Sequence, residues 1–248
     1  MRKLSVVIPA KDEEQTLPMV LKDLYETIPK LTGTDVEVII VDDHCKDRTV
    51  AIAESFGARV VKNARSGGKG HALRAGFEAA TGNLIVMMDA DYSHRPEDLP
   101  VFLEAIQEDG VGLVIGSRVF GGSEEYTHIR ALWNVFLSAT FGLCTGRYLS
   151  DALNGYKLFR REVFTDFQYE SKAFEIEIEL IANNLRKGYQ VREVISRERA
   201  RAGGEMKSRV IRHGTRFLAR ILLEGFRGVD PKKAKQPDAA PAPVKPSR

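Results

Sequence analysis

Short runs of consecutive apolar residues alternate along the chain with stretches in which apolar residues recur every three or four positions. The runs 4–8 (LSVVI), 36–41 (VEVIIV), 59–62 (RVVK) and 84–88 (LIVMM) have the length and continuity of strands. Between them, the spacing of Leu17, Val20, Leu21 and Leu24 predicts a helix, and so do residues 47–56, which Gly57 ends, and 71–80, which Gly82 stops. Strand, loop and helix repeated in this way predict an α/β domain with a mostly parallel, Rossmann-like sheet and helices on both faces. A helix over 96–108, strands over 112–115 and 156–159, a helix over 173–187 and an edge strand over 190–195 complete a single expected domain, residues 1–206.

Two stretches have a different texture. Arg130 and Arg147 bracket sixteen uncharged residues that include Trp133, Phe136, Leu137, Phe141 and Leu143. That is short of the roughly 20 apolar residues a bilayer span needs, so the stretch reads either as a core helix or as an amphipathic one. Over 207–229, Arg209, Arg212, Arg216 and Arg220 interleave with Val210, Ile211, Phe217, Leu218, Ile221 and Leu222 at helical spacing. Such a basic amphipathic helix either lies on a membrane surface or packs on the domain with its basic face in water. Residues 230–248, rich in Pro, Ala and Lys, are expected to be disordered.

A composition of 43% hydrophobic and 29% charged residues over 248 positions suits a soluble protein. The N-terminal MRKLSVVIPAKDEE turns acidic after one strand's length, unlike a secretory leader, and Cys45 and Cys144 share no metal-ligand spacing. A reduced, cytoplasmic setting is expected. Net charge is +3, but residues 196–248 hold 14 Lys/Arg against 5 Asp/Glu, a net of +9, so the preceding part is net negative. The C-terminal part is expected to meet an anion. No nucleic-acid recognition motif accompanies the charge, so that partner is not expected.

The chemistry gathers where strands end. Asp89, Ala90 and Asp91 follow the apolar run 84–88, Glu13 follows the first strand, Asp42 and Asp43 the second, and Lys69 sits in the glycine-rich loop 67–70. In open α/β sheets ligands bind beyond the carboxyl ends of strands, so these positions converge. No GxGxxG follows the first strand, which disfavours a dehydrogenase-type dinucleotide site. Two carboxylates two residues apart suit a hard divalent cation, Mg2+ or Mn2+, which also takes phosphate oxygens of a bound nucleotide. A lone Asp-x-Asp is equally often a solvated turn or a helix cap, and Pro96-Glu97-Asp98 does look like a helix start.

The ordered set VVIPAKDEE, VIIVDDHCKDRT, GGKGHALRAGFEAATG, MDADYSHRPED, GSRV, NGYKLFRREVF, IEIELIANNLRKGYQVREV and RAGGEMK resembles the family-two glycosyltransferases. It is most similar to their dolichyl-phosphate mannose synthase, or polyprenyl-phosphate hexose synthase, branch. The resemblance runs from about residue 4 to residue 223. It implies a GT-A fold, a nucleotide-diphosphate sugar donor of the GDP-mannose or UDP-glucose type, and inverting transfer to a polyprenyl phosphate at the cytoplasmic membrane face. Carried residue by residue, it assigns Pro9, Ala10, Glu13 and Asp42 to the nucleoside with Lys69 near it, and Asp89, Ala90 and Asp91 to the metal and diphosphate. Arg118 falls near the reacting phosphates and Arg130 and Asn134 near the acceptor phosphate. Arg201, Gly204 and Lys207 reproduce the RxxGxxK spacing of a mobile acceptor loop. The chain departs from the family at Lys11 and Asp12, usually tyrosine and asparagine, at Ser93, usually a glutamine that assists the metal, and at Met206, usually serine.

Chemistry bears on the acceptor independently. A phosphate is already anionic at neutral pH and needs arginines to hold it, with no strong general base. Arg118, Arg130, Arg201 and Lys207 meet that need, whereas a hydroxyl acceptor on a glycan, small molecule or protein requires a positioned carboxylate, for which Asp151 is the best placed. A non-catalytic nucleotide-sugar-binding module is a third reading, and the intact Asp89/Asp91 pair argues against it.

Overall fold

A computed structural model describes residues 2–124, 127–202 and 210–229 of the chain. Strand β1 (Arg2–Ala10) lies inside the sheet, and its side chains alternate between two cores: Leu4, Val6 and Ile8 into one, Val7 into the other. It pairs in parallel with β2 (Thr34–Asp42) on one side and β4 (Leu84–Met87) on the other, with Ala10 opposite Asp42 and Val7 opposite Met87. Adding β3 (Arg59–Lys62), β5 (Val111–Ser117), β6 (Lys157–Arg160) and β7 (Gln190–Ile195) gives a seven-stranded sheet of order β3-β2-β1-β4-β6-β5-β7. All pairings are parallel except those of β6, which runs antiparallel between β4 and β5.

Helices α1 (Leu17–Thr27), α2 (Thr49–Ser55) and α4 (Leu99–Ala105) bury their apolar stripes in the first core. The second core takes α3 (Lys69–Ala79), α6 (His128–Thr145), α7 (Glu162–Thr165), α8 (Ile176–Arg186) and α9 (Val210–Phe226), while α5 (Arg118–Gly121) is a single turn after β5. The sheet is thus covered on both faces, which is why its strands read as continuous apolar runs.

The differences from expectation are local. Residues 96–98 form a 3-10 turn before α4, since Pro100 lacks the amide that would donate to the Pro96 carbonyl in a continuous helix. Helix α3 begins at Lys69, two residues early, after Gly68 at φ 142°, and α8 begins at Ile176, three residues late. The strand expected over 156–159 is shifted by one residue, and its antiparallel direction was not legible in a four-residue run. Helix α9 is described from Val210, so Gly204 and Lys207 lie outside the described residues, as does the tail 230–248.

The basic residues of α9 do not all face water. Arg220 bonds Glu170, Glu179 and Glu224, and Arg227, just past the end of the helix, bonds Glu170 and Glu224. No helix among the described residues is long and apolar enough to cross a membrane.

Candidate active site

The adjacent parallel strands β1, β2 and β4 release the chain at the same edge, and two neighbouring cavities open there. A cavity of about 500 Å³ is lined by Pro9, Ala10, Lys11, Glu13, Asp43, Gly67 and Gly68. A smaller one, about 200 Å³, is lined by Arg118, Arg130, Trp133, Asn134 and Glu198 among others. Lys69, Asp89, Asp91, Phe174 and Arg201 line both. The Asp89-Ala90-Asp91 segment is therefore the waist between an acidic, glycine-walled chamber and an arginine-lined one.

Each carboxylate at the waist is held by a cation. Lys69 Nζ lies 2.7 Å from Asp89 Oδ1 and 3.0 Å from Glu177 Oε1, with the Phe174 ring 5.0 Å beneath it. Desolvation works to lower the Lys69 pKa, but the two carboxylates outweigh it and raise it. Desolvation likewise works to raise Asp89, and the Lys69 ammonium more than reverses this, holding the carboxyl below its usual range. Asp91 Oδ2 meets Arg201 Nη2 at 2.8 Å, while its Oδ1 accepts from the Ser93 amide at 3.0 Å and hydroxyl at 2.5 Å. The Asp89 amide donates to His94 Nδ1 at 3.0 Å, and the His94 ring stacks on Tyr156.

Two glycines make this packing possible. A Cβ at Gly70 would lie 2.6 Å from the Ser171 carbonyl oxygen, so only glycine lets the start of α3 dock against residues 171–173. A Cβ at Gly155 would stand 2.8 Å from Lys69 Nζ and 3.2 Å from both Asp89 Oδ2 and Glu177 Oε1.

Asp151 has a different place from that expected of a base. It is fully buried, and its carboxylate accepts from the Arg118 amide at 3.0 Å, Arg118 Nε at 2.7 Å, Arg118 Nη2 at 2.8 Å and Asn134 Nδ2 at 3.0 Å. Burial works to raise its pKa, but Arg118 outweighs burial and lowers it. A carboxylate so saturated orients its donors and has no lone pair aimed at the cavity. Asp151 thus sets Arg118 and Asn134 toward the smaller chamber, where Arg130 and Arg201 also project.

Asp42, expected near the nucleoside, lines neither chamber. Its Oδ1 accepts from the Cys45 amide at 2.7 Å, and the neighbouring Asp43 lines the larger chamber, bonded to the Gly68 amide at 2.9 Å and Asn63 Nδ2 at 2.8 Å. Consecutive side chains at a strand end point to opposite sides, so one of two adjacent acids faces the ligand space. The remaining expected residues, Pro9, Ala10, Glu13, Lys69, Ala90, Arg118, Arg130, Asn134 and Arg201, line one chamber or both. Sequence reasoning missed Glu177, Phe174 and His94. Glu177 did carry a signal: an acid inside the apolar stretch IEIEL requires a buried partner.

The donor set at the waist fits a divalent cation. Asp89 and Asp91 are hard oxygen ligands, each now paired with a protein cation whose place on the carboxylate a metal would share or take. Asp12, Cys45 and Asp47 also approach one another within 4.8 Å. Their oxygens, however, accept from the Lys46, Glu14 and Thr49 amides, so they form a turn.

Residues 5–167 match the description Glycosyl transferase family 2. The chain belongs to this family. Among curated relatives of this family-2 chain, "Dolichol-phosphate mannosyltransferase" of Pyrococcus furiosus is 30% identical over 231 residues, which cover 89% of the chain and 64% of that protein's length. "Dolichyl-phosphate hexose transferase" of Haloferax volcanii is 32% identical over 200 residues, covering 81% of the chain and 84% of that protein. The fold is GT-A. Glucosyl-3-phosphoglycerate synthase of Mycobacterium tuberculosis, solved with Mn2+, UDP and phosphoglyceric acid, superposes with a TM-score of 0.71 at 23% identity, over 90% of the chain and 78% of that structure.

Proposed function

We propose that the protein transfers a hexose, with inversion, from a nucleoside-diphosphate sugar of the GDP-mannose or UDP-glucose type to a polyprenyl phosphate. The observation that carries this reading is the waist, with two carboxylates standing between a chamber sized for a nucleotide and a chamber lined by Arg118, Arg130 and Arg201. Both curated relatives bear names of polyprenyl-phosphate sugar transfer.

The nucleoside occupies the larger chamber, bounded by Pro9, Ala10, Glu13 and Asp43, and the diphosphate reaches the waist. Asp89 and Asp91 would hold Mg2+ or Mn2+, which when bound would supply Lewis-acid neutralisation of the leaving diphosphate. Lys69 adds a fixed positive charge beside that diphosphate, kept in place by Glu177. The arginines of the smaller chamber hold the acceptor phosphate, one of whose oxygens attacks the anomeric carbon from the face opposite the diphosphate. The new C–O bond forms as the old one breaks, and the electron pair departs with the diphosphate. No proton needs removal, which agrees with a saturated Asp151.

We place this activity at the cytoplasmic face of a membrane. The two free cysteines suit a reducing compartment. The test is transfer from a panel of GDP- and UDP-sugars, with Mg2+ or Mn2+, to a short-chain polyprenyl phosphate and to hydroxyl acceptors in parallel. Transfer to the phosphate with the sugar configuration inverted supports the reading, and transfer to hydroxyls alone sinks it.

A further inference from the structure

Tyr92, the residue that follows the second carboxylate of the waist, has φ 71°. Among the described residues two other non-glycines share a positive φ, Asp12 at 54° and His44 at 64°, and both are types that visit the left-handed region comparatively often. A tyrosine is not, so this backbone is strained and persists only where its surroundings over-determine it. With Tyr92 in this conformation the Ser93 amide and hydroxyl both reach Asp91 Oδ1, at 3.0 and 2.5 Å, and Oδ2 is the oxygen that meets Arg201 Nη2 at 2.8 Å.

The surroundings that hold Tyr92 come from Arg199. Its guanidinium lies 4.5 Å over the Tyr92 ring, its Nη1 donates to Asp23 Oδ2 at 2.7 Å, and its Nη2 donates to Glu97 Oε1 at 2.5 Å. The Tyr92 hydroxyl donates to the same Asp23 oxygen at 2.9 Å, so the ring is gripped on its face by a cation and at its tip by α1. Asp23 stands 176 positions before Arg199 and Glu97 stands 102 before it, so the grip closes only when the chain is folded. Only a planar fork can span two acids while its face covers a ring. The main chain of the same segment adds two bonds, from the Arg199 amide to the Ser93 carbonyl at 3.0 Å and from the Ala202 amide to the Asp91 carbonyl at 3.4 Å. These flank Arg201 in sequence and bring it alongside Asp91.

We propose that Arg199 is a positioning residue of the site: its grip on Tyr92, Asp23 and Glu97 locks the left-handed turn that aims Asp91 at the waist, and its main chain lays residues 199–202 along that turn so that Arg201 arrives there. The metal role of Asp91 and the acceptor role of Arg201 rest on the reading above, while the lock itself does not. Glycine at position 92 would adopt the turn without strain but would give the guanidinium nothing to grip. A tyrosine held by Arg199 makes one backbone conformation persist at the place where two ligand-bearing segments meet.

The lock is tested first without metal. In the full chain carrying isotope-labelled tyrosine, the Tyr92 Cα and Cβ shifts, assigned by their loss in Tyr92→Phe, have left-handed values in wild type and move toward ordinary values in Arg199→Ala. Mn2+ binding followed by electron paramagnetic resonance comes next, with Arg201→Ala as the parent so that no guanidinium competes for Asp91. Adding Arg199→Ala to that parent weakens Mn2+ binding about 10-fold. Adding Tyr92→Gly as well restores it to within about 3-fold of the parent, because glycine takes a positive φ at no steric cost. With Arg201 present, Arg199→Ala raises the acceptor KM about 10-fold, and Tyr92→Gly does not restore it, since residues 199–202 stay loose. Arg199→Lys, the milder variant, keeps one ion pair and loses the fork, so its shifts and Mn2+ affinity fall between those of wild type and Arg199→Ala. Unchanged Tyr92 shifts in Arg199→Ala overturn the proposal. So does a loss of Mn2+ affinity that Tyr92→Gly fails to restore, for then Arg199 only staples its segment to α1. A wild type that binds no Mn2+ removes the metal reading, one that transfers no sugar to polyprenyl phosphate removes the acceptor reading, and in both cases the tyrosine shifts still decide the lock.

Discussion

The ammonium of Lys69 lies 3.0 Å from the carboxylate of Glu177, a residue 108 positions further along the chain, and 2.7 Å from Asp89. Helix α3 brings the lysine and α8 the glutamate, so the orientation of the Asp89 carboxylate depends on how two helices of the second core sit on the sheet.

Lys69→Met should leave Glu177 charged and buried with its ammonium partner gone, at a cost of about 3–5 kcal/mol in stability. Glu177→Gln keeps the volume and frees Lys69 to swing, so transfer should fall about 10-fold to 100-fold with a smaller change in melting temperature. The double variant should be more stable than the sum of the two singles allows. Urea unfolding of all four proteins gives the coupling, and additivity would show that the pair is not a unit.

The origin of that pair explains what could be read in advance. Continuous apolar runs ending in acids revealed the parallel strands and the ligand edge, because a strand buried on both faces leaves no other pattern and local sequence suffices. Asp89, Asp91 and Lys69 were legible for the same reason. The places of Glu177 and Phe174, and of Asp43 rather than Asp42 on the chamber wall, depend on which face a side chain takes and on contacts across the chain. Asp151 misled because a carboxylate in a loop looks available until its four hydrogen bonds from Arg118 and Asn134 are seen.

On the proposed reading, Asp89→Asn and Asp91→Asn should each reduce transfer by at least about 100-fold, since each would remove charge from the site that neutralises the leaving diphosphate. Mn2+ binding followed by electron paramagnetic resonance should weaken in both, without donor or acceptor present. Full turnover in EDTA would remove the metal from this picture.

Asp151→Asn separates a base from an orienting group. With the charge gone, Arg118 is left with a weaker partner, and the acceptor KM should rise about 10-fold. The pH dependence of kcat should keep its shape. A kcat loss of about 1000-fold at unchanged acceptor KM, with one limb of the pH profile missing, would instead identify Asp151 as the proton acceptor.

Glu37 offers a pH test remote from the site, at the opposite end of β2. Its burial works to raise the pKa, but bonds from Ser5, Thr81 and Gly82 outweigh burial and lower it. A depressed carboxyl pKa stabilises the fold above the unfolded-state value near 4.5, and the stability is lost as pH falls through the folded-state value. Glu37→Gln should therefore lower stability at pH 7, and the gap from wild type should close as the pH falls below the unfolded-state value and through the folded-state one. Equal gaps at pH 7 and pH 3 in urea titrations would contradict this.

Arg201 carries two opposed expectations, because it lines the acceptor chamber and also holds Asp91 at 2.8 Å. Residues 199–202 lie along the metal segment, with the Arg199 amide on the Ser93 carbonyl at 3.0 Å and the Arg199 guanidinium 4.5 Å over the Tyr92 ring. On the proposed reading, Asp91 would hold either Arg201 or a divalent cation, and with its carboxylate on the cation the Arg201 guanidinium would be available to an acceptor phosphate. Arg201→Ala should then bind Mn2+ more tightly than wild type, while acceptor use weakens about 10-fold to 100-fold through the loss of a charge-assisted contact. Arg201→Lys keeps the charge but not the planar fork, so it should restore wild-type Mn2+ affinity better than it restores acceptor KM. Calorimetry for the metal and steady-state kinetics for the acceptor read the two effects separately. If both parameters move in the same direction in Arg201→Ala, Arg201 serves only one of the two partners, and the exchange between Asp91 and the acceptor phosphate does not occur.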